Sequence, residues 1–108
     1  MKPYIISADA CADLDGIWSY VAERAGVETA STFIWRFYDV FSLLAGSPSA
    51  GVAVPEFPGM VRKFPMGNYL VYYRSTRGRV AIWRVLHGKR SQLRVLRDGP
   101  PRRRPERS

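Results

Sequence analysis

His87 is the only imidazole in the chain, and cations flank it, Arg84 on one side and Lys89 and Arg90 on the other. An imidazole titrates near neutral pH, so one held beside cations is a candidate general acid toward an anionic substrate. Arg62, Lys63 and Arg74 add positive charge upstream. Guanidinium groups grip planar anions such as carboxylate or phosphate through two parallel hydrogen bonds. The chemistry these residues point to is recognition of a negatively charged partner, with proton transfer at His87 as a second option. No Gly-x-Ser-x-Gly motif, P-loop or Cys–His pairing within one motif occurs, so nucleophilic hydrolysis and nucleotide-triphosphate chemistry lack their usual carriers. Cys11 is the lone cysteine. That excludes an intrachain disulfide and leaves the cysteine-rich zinc patterns without ligands, so no metal or other cofactor is expected.

The charge is unevenly spread. Residues 1–50 carry three basic against six acidic residues, net −3, whereas residues 51–108 carry fourteen basic against three acidic, net +11. A concentrated basic surface raises the local concentration and on-rate of anything anionic, so RNA, DNA or an acidic protein segment is the expected partner class. A solvated face with a basic tail would give the same asymmetry. The length, 108 residues, suits one domain with a single two-layer core, and 46% hydrophobic with 24% charged residues is ordinary globular composition. The N-terminal apolar run Tyr4-Ile5-Ile6 is broken at once by Ser7 and Asp9. It is far too short for a signal-peptide core or a membrane span, so a cytoplasmic protein with no membrane partner is expected.

The elements that must position these cations follow from periodicity. Residues 4–7 are short and β-prone and end at Ser7, a good helix cap. From Leu14, apolar residues recur at Ile17, Trp18, Val21, Ala22 and Ala25, one face of a helix that ends near Ala25 beside Gly26. Asp9, Asp13 and Asp15 crowd its start, where carboxylates meet the positive end of the helix dipole. Ala30, Phe33, Ile34, Phe37, Phe41 and Leu44 form a second stripe, closed by Gly46 and Pro48. Two helices joined so tightly form an antiparallel hairpin that needs a flat surface beneath it. Trp35, Tyr38 and Val40 widen the second stripe, and aromatics at helical spacing ordinarily serve as core or helix–helix contacts.

Residues 47–59, rich in proline and glycine, read as an irregular surface loop. Three β-rich runs follow at 60–64, 69–74 and 79–86, separated by 65–68 and 75–78, both with hairpin-turn chemistry. They predict an antiparallel meander, with the N-terminal strand added at its edge. The fold class is α+β: an N-terminal strand and an antiparallel helix hairpin packed on an antiparallel β-sheet with a C-terminal three-stranded meander. Simple alternation puts Val80, Ile82, Arg84 and Leu86 on one face of the last strand and Ala81, Trp83, Val85 and His87 on the other. Arg62, Arg74 and Arg84 would then converge on a concave sheet face if the strand registers allow it. The domain is expected to span 1–97. Residues 98–108 carry no apolar side chain beyond proline and should not fold alone, forming a basic tail that touches nucleic acid or an acidic partner, or is merely solvated.

Three segments carry a family resemblance: 12–20 (ADLDGIWSY), 61–74 (VRKFPMGNYLVYYR) and 82–90 (IWRVLHGKR). In this order and spacing they resemble the ParE/RelE superfamily, toxins of type II toxin–antitoxin systems, and lie nearer ParE. The resemblance implies a toxin held inactive by a co-expressed, ParD-like antitoxin that wraps it and covers its groove. Trp35 and Tyr38 are then expected to be exposed when the antitoxin is absent. Two activities are implied. RelE-like members are ribosome-dependent mRNA interferases, whereas ParE-like members inhibit DNA gyrase without being nucleases.

RNA cleavage needs one group to activate the 2′-hydroxyl, one to protonate the leaving oxygen, and cations for the phosphorane. RelE-like enzymes place a Tyr or His after the last strand, but residues 88–108 contain neither. Val85-Leu86-His87-Gly88 resembles the ParE ending, so His87 is a catalytic candidate only under the interferase reading. The expected function is gyrase inhibition by direct binding, more a protein inhibitor than an enzyme, with the mRNA endoribonuclease as the alternative. Arg62, Lys63, Arg74, Arg84, His87, Lys89 and Arg90 are the candidate contacts for target or antitoxin, and nucleic acid is a further candidate partner for the basic half.

Overall fold

The computed structural model describes residues 4–88. The chain runs β1 (Tyr4–Ile6), α1 (Ala8–Ala25), α2 (Val27–Gly46), a 3₁₀ turn (Pro48–Ala50), β2 (Val52–Ala53), β3 (Arg62–Met66), β4 (Tyr69–Thr76) and β5 (Arg79–His87). The strands form one sheet in the order β1-β5-β4-β3-β2. The basic tail from residue 98 onward lies outside the described residues.

Ser7 starts α1 as expected and also fixes it to the sheet. Its hydroxyl accepts from the Ala10 amide at 2.9 Å and donates to the Trp83 carbonyl at 2.7 Å, while its own amide donates to the Ile82 carbonyl at 2.9 Å. The two helices are joined by Gly26 alone. Its φ of 96° is a conformation a side chain would resist, and its amide donates to the Ala22 carbonyl. The apolar stripes bury Ala10, Leu14 and Ile17 of α1 and Ala30, Phe37, Phe41 and Leu44 of α2. Most of these join Met66, Val71, Tyr73, Val80, Ile82 and Val85 of the sheet in the main core. Burying one such large side chain contributes about 1.5–3 kcal/mol.

The meander β3–β4–β5 is antiparallel, but β1 pairs with β5 in parallel, so the sheet as a whole is mixed. The helix hairpin supplies the long crossover that a parallel pair requires. The hairpin turns are tighter than four residues. Strand pairing continues through Pro65–Met66 and Ser75–Thr76, leaving Gly67-Asn68 and Arg77-Gly78 as two-residue turns. β3 also begins at Arg62, two residues later than its β-rich run.

Two departures reshape the outer face of the sheet, the face away from the helices. Tyr72 pairs with Arg84 but Tyr73 pairs with Ile82, so Trp83 is an extra residue in β5. This bulge breaks the simple alternation. Val85 turns into the helix-side core, while Trp83 joins the outer cluster. The expected surface loop also folds back. Val54, Phe57 and Val61 are buried over Tyr72 and Trp83, with Leu70 and Leu86 packed against them, as a second small core. Tyr73 holds the start of this segment, its hydroxyl donating to the Pro48 carbonyl at 2.7 Å and accepting from the Gly51 amide at 2.8 Å. No helix among the described residues is long and apolar enough to cross a membrane.

Candidate functional site

The register between strands decides which of the expected contact residues can act together. Arg62 stands opposite Tyr73, a residue of the helix-side core, and its guanidinium donates to the Gly51 carbonyl at 2.7 Å. Arg62 thus anchors the start of β2. Arg74 lies opposite Ala81 on the outer face, and its guanidinium closes on Gly59 so tightly that a Cβ there would sit 2.8 Å from Nη1.

Arg84 reaches back to α1. Its Nε and Nη2 donate to the two carboxylate oxygens of Asp13 at 2.8 and 3.0 Å, and the Val85 amide donates to the same carboxylate at 3.0 Å. β1 has ended by this point of β5, so Asp13 satisfies an amide that no strand covers. The three arginines therefore do not converge on one concave face. The centre of that face is filled by Phe57 and its neighbours.

Lys63 and His87 do meet. With Pro65, Asn68, Tyr69, Leu70 and Gly88 they line an open concavity of about 530 Å³ beside the β3–β4 turn. His87 pairs with Tyr69 across the strands, and their rings pack edge to face at 5.5 Å. Tyr69 is itself braced by Phe33 and Phe37. Gly88 closes the concavity, its amide donating to the Asn68 carbonyl at 2.8 Å. Chemically this corner offers a cation and an imidazole at the lip of an apolar wall, groups suited to an anion. Among the described residues no carboxylate lines it. Lys89 and Arg90 lie outside the described residues.

A second concavity, about 680 Å³, opens on the helix hairpin between Tyr4, Trp18, Ile34, Trp35, Tyr38 and Asp39. Trp35 is 66% exposed and leans on Tyr38 at 5.6 Å, while Tyr38 packs edge-on against Phe41 of the core. The usual role for such aromatics, core or helix–helix contact, thus holds for Tyr38 and fails for Trp35. Burial, then the charges of Cys11, Tyr4 and Asp15, hold the Tyr38 phenol above its ordinary range. Among the described residues no cluster of histidine, cysteine and carboxylate could hold a metal ion.

Comparison with known proteins agrees with this architecture. Residues 4–92 match the family model described as the ParE toxin of the type II toxin–antitoxin system parDE. A protein named Toxin ParE1 from Caulobacter vibrioides is 38% identical over 87 residues, covering 81% of this chain and 90% of its own. Toxin ParE1 of Mycobacterium tuberculosis is 32% identical over 85 residues, 78% of this chain and 87% of its own. A solved structure described as the chromosomal ParDE TA system from P. aeruginosa superposes with a TM-score of 0.68, covering 78% of this chain and 92% of that one, at 23% identity. At that identity the superposition speaks for the fold.

Proposed function

The chain belongs to the ParE toxin family of type II toxin–antitoxin systems, and on that premise we propose that it inhibits DNA gyrase by direct binding and is neutralised by a ParD-like antitoxin. The observation that carries the choice of activity is the setting of His87. Cleaving RNA at a 2′-hydroxyl takes a base and an acid on opposite sides of the phosphate. Here the one imidazole is packed against Tyr69, and among the described residues Lys63 is the only charged side chain sharing its concavity. That arrangement favours holding an anion over moving two protons.

The gyrase-binding residues in this reading are Lys63 and His87 at this corner, with Lys89 and Arg90, next in sequence after Gly88, as further candidates. The aromatic concavity around Trp35 and Tyr38 is the antitoxin's, because a large exposed apolar patch on a small domain ordinarily marks a partner. Gyrase as target places the action in the cytoplasm. The test is gyrase with supercoiled plasmid and ATP, titrated with the protein and then treated with detergent and protease. Linear DNA that appears with the protein and vanishes when antitoxin is added is the expected result. If gyrase is unaffected while messenger RNA on translating ribosomes is cut, and His87→Ala stops the cutting, the interferase reading replaces this one.

A further inference from the structure

The apolar stripe of α2 sets Phe33 one turn from Phe37, yet only Phe37 is fully buried. Phe33 stays half-buried, its ring edge to face with Phe37 at 5.4 Å and with Tyr69 at 5.9 Å. Tyr69 in turn meets His87 at 5.5 Å. Three half-buried rings, Phe33, Tyr69 and His87, thus run in contact from α2 across β4 to β5.

Each end of this run carries a cation. The Arg36 guanidinium lies 5.9 Å from the Phe33 ring centre at the α2 end, and Lys63 shares the concavity of Tyr69 and His87 at the other. The rings also link two hollows. Phe33 and Arg36 line one of about 320 Å³ with Glu28, Thr29 and Thr32, while Tyr69 and His87 line the one of about 530 Å³ beside the β3–β4 turn. Sealing Phe37 from water needs bulk at position 33, not a π-face beside a cation. Residues 51–88 carry six basic side chains against Glu56 alone, so the Lys63 end sits in a positive field.

Aromatic faces set between cations suit a single nucleic acid strand, whose bases stack on the rings while its phosphates meet lysine and arginine. A duplex hides its base faces, and an acidic peptide of aliphatic and carboxylate side chains has no base to stack. Either would use only the charged half of this surface.

We propose that the run from Phe33 to His87, between Arg36 and Lys63, binds single-stranded DNA by base stacking. Because it shares Lys63 and His87 with the gyrase-facing corner, the strand it meets is one that gyrase holds open. That placement rests on the proposed function, whereas binding of the strand itself does not. Glu28, about two turns before Arg36 on α2, repels phosphate and bounds the site there.

Anisotropy of a short fluorescein-labelled oligothymidine, titrated with the full chain, tests the site beside three controls: an abasic strand, a duplex of equal length and an oligoglutamate peptide. The oligothymidine should bind most tightly, and its affinity should fall with added salt. Phe33→Leu should weaken it roughly tenfold, the loss of one stacked base, and leave the abasic strand unaffected. Phe33→Trp should retain the binding, which separates stacking from a packing defect. Lys63→Gln should weaken both strands and reduce the salt slope by about 0.7, the share of one phosphate contact. Equal binding of any control, unchanged affinity in Phe33→Leu, or equal losses in Phe33→Leu and Phe33→Trp overturns the proposal. Stacking-dependent binding by a chain that leaves gyrase untouched would uphold the site and overturn only the gyrase reading.

Discussion

Arg84 looks from its position in the sequence like a contact residue, yet the structure ties it to Asp13, and the two roles predict different numbers. In Asp13→Ala the variant loses a carboxylate that is 13% exposed, leaves a guanidinium that is 25% exposed without that partner, and strips the Val85 amide of its acceptor. Removing one partner of a well-buried ion pair costs about 3–5 kcal/mol, whereas exposed pairs contribute about 0–1 kcal/mol. This pair lies between those limits, and the orphaned amide adds roughly 1 kcal/mol. Asp13→Ala should therefore cost about 3 kcal/mol, lowering Tm by roughly 12–20 °C in a domain of this size. Arg84→Met should cost less, about 1–2 kcal/mol, because Asp13 keeps the Val85 amide. Urea denaturation of the two single variants and the double should give a coupling energy of about 1.5–2 kcal/mol. A coupling under about 0.5 kcal/mol would refute the latch. So would an Arg84→Met variant of undiminished stability that no longer inhibits gyrase, which would return Arg84 to the contact surface.

Tyr73→Phe should cost about 1–2 kcal/mol by urea denaturation, since it leaves the buried Gly51 amide without its acceptor. Gly51→Ala should be at least as damaging, because the new Cβ would stand 2.6 Å from the Tyr73 hydroxyl and 2.7 Å from the Lys63 carbonyl. Phe57→Ala removes the edge-to-face cover of Trp83, which is 8% exposed. It should cost about 3–4 kcal/mol and shift tryptophan emission to the red. Burial, then the charge of Glu56, raises the Tyr72 phenol above its ordinary 10.0. A raised phenol means that the unfolded chain ionises first as pH climbs. Its contribution to stability is therefore full below pH 10.0 and lost as pH rises from there through the folded value. Thermal unfolding from pH 9 to 11 should show that decline, and Tyr72→Phe should flatten it.

Much of the fold follows from spacing along the chain. Helical periodicity and the Ser7 and Gly26 boundaries specify the hairpin, and alternating β-branched and aromatic residues punctuated by Gly67 and Gly78 specify the meander. Those are local signals, set by propensity and by which backbone conformations a side chain permits. The outer face needed long-range information. The extra residue at Trp83 is visible only once β4 and β5 are paired, and it sends Arg84 toward Asp13, 71 positions away in the chain, at the point where β1 stops covering β5. Val54 and Phe57 sit among prolines and glycines that signal a loop correctly. Whether such a loop stays in water or folds onto a sheet depends on the apolar surface of Tyr72 and Trp83 beneath it. Hence the sequence determined the family, the layers and a basic second half, all properties that add along the chain. Tertiary structure alone decided which cations share a surface, because that depends on register and on which buried polar groups must be satisfied first.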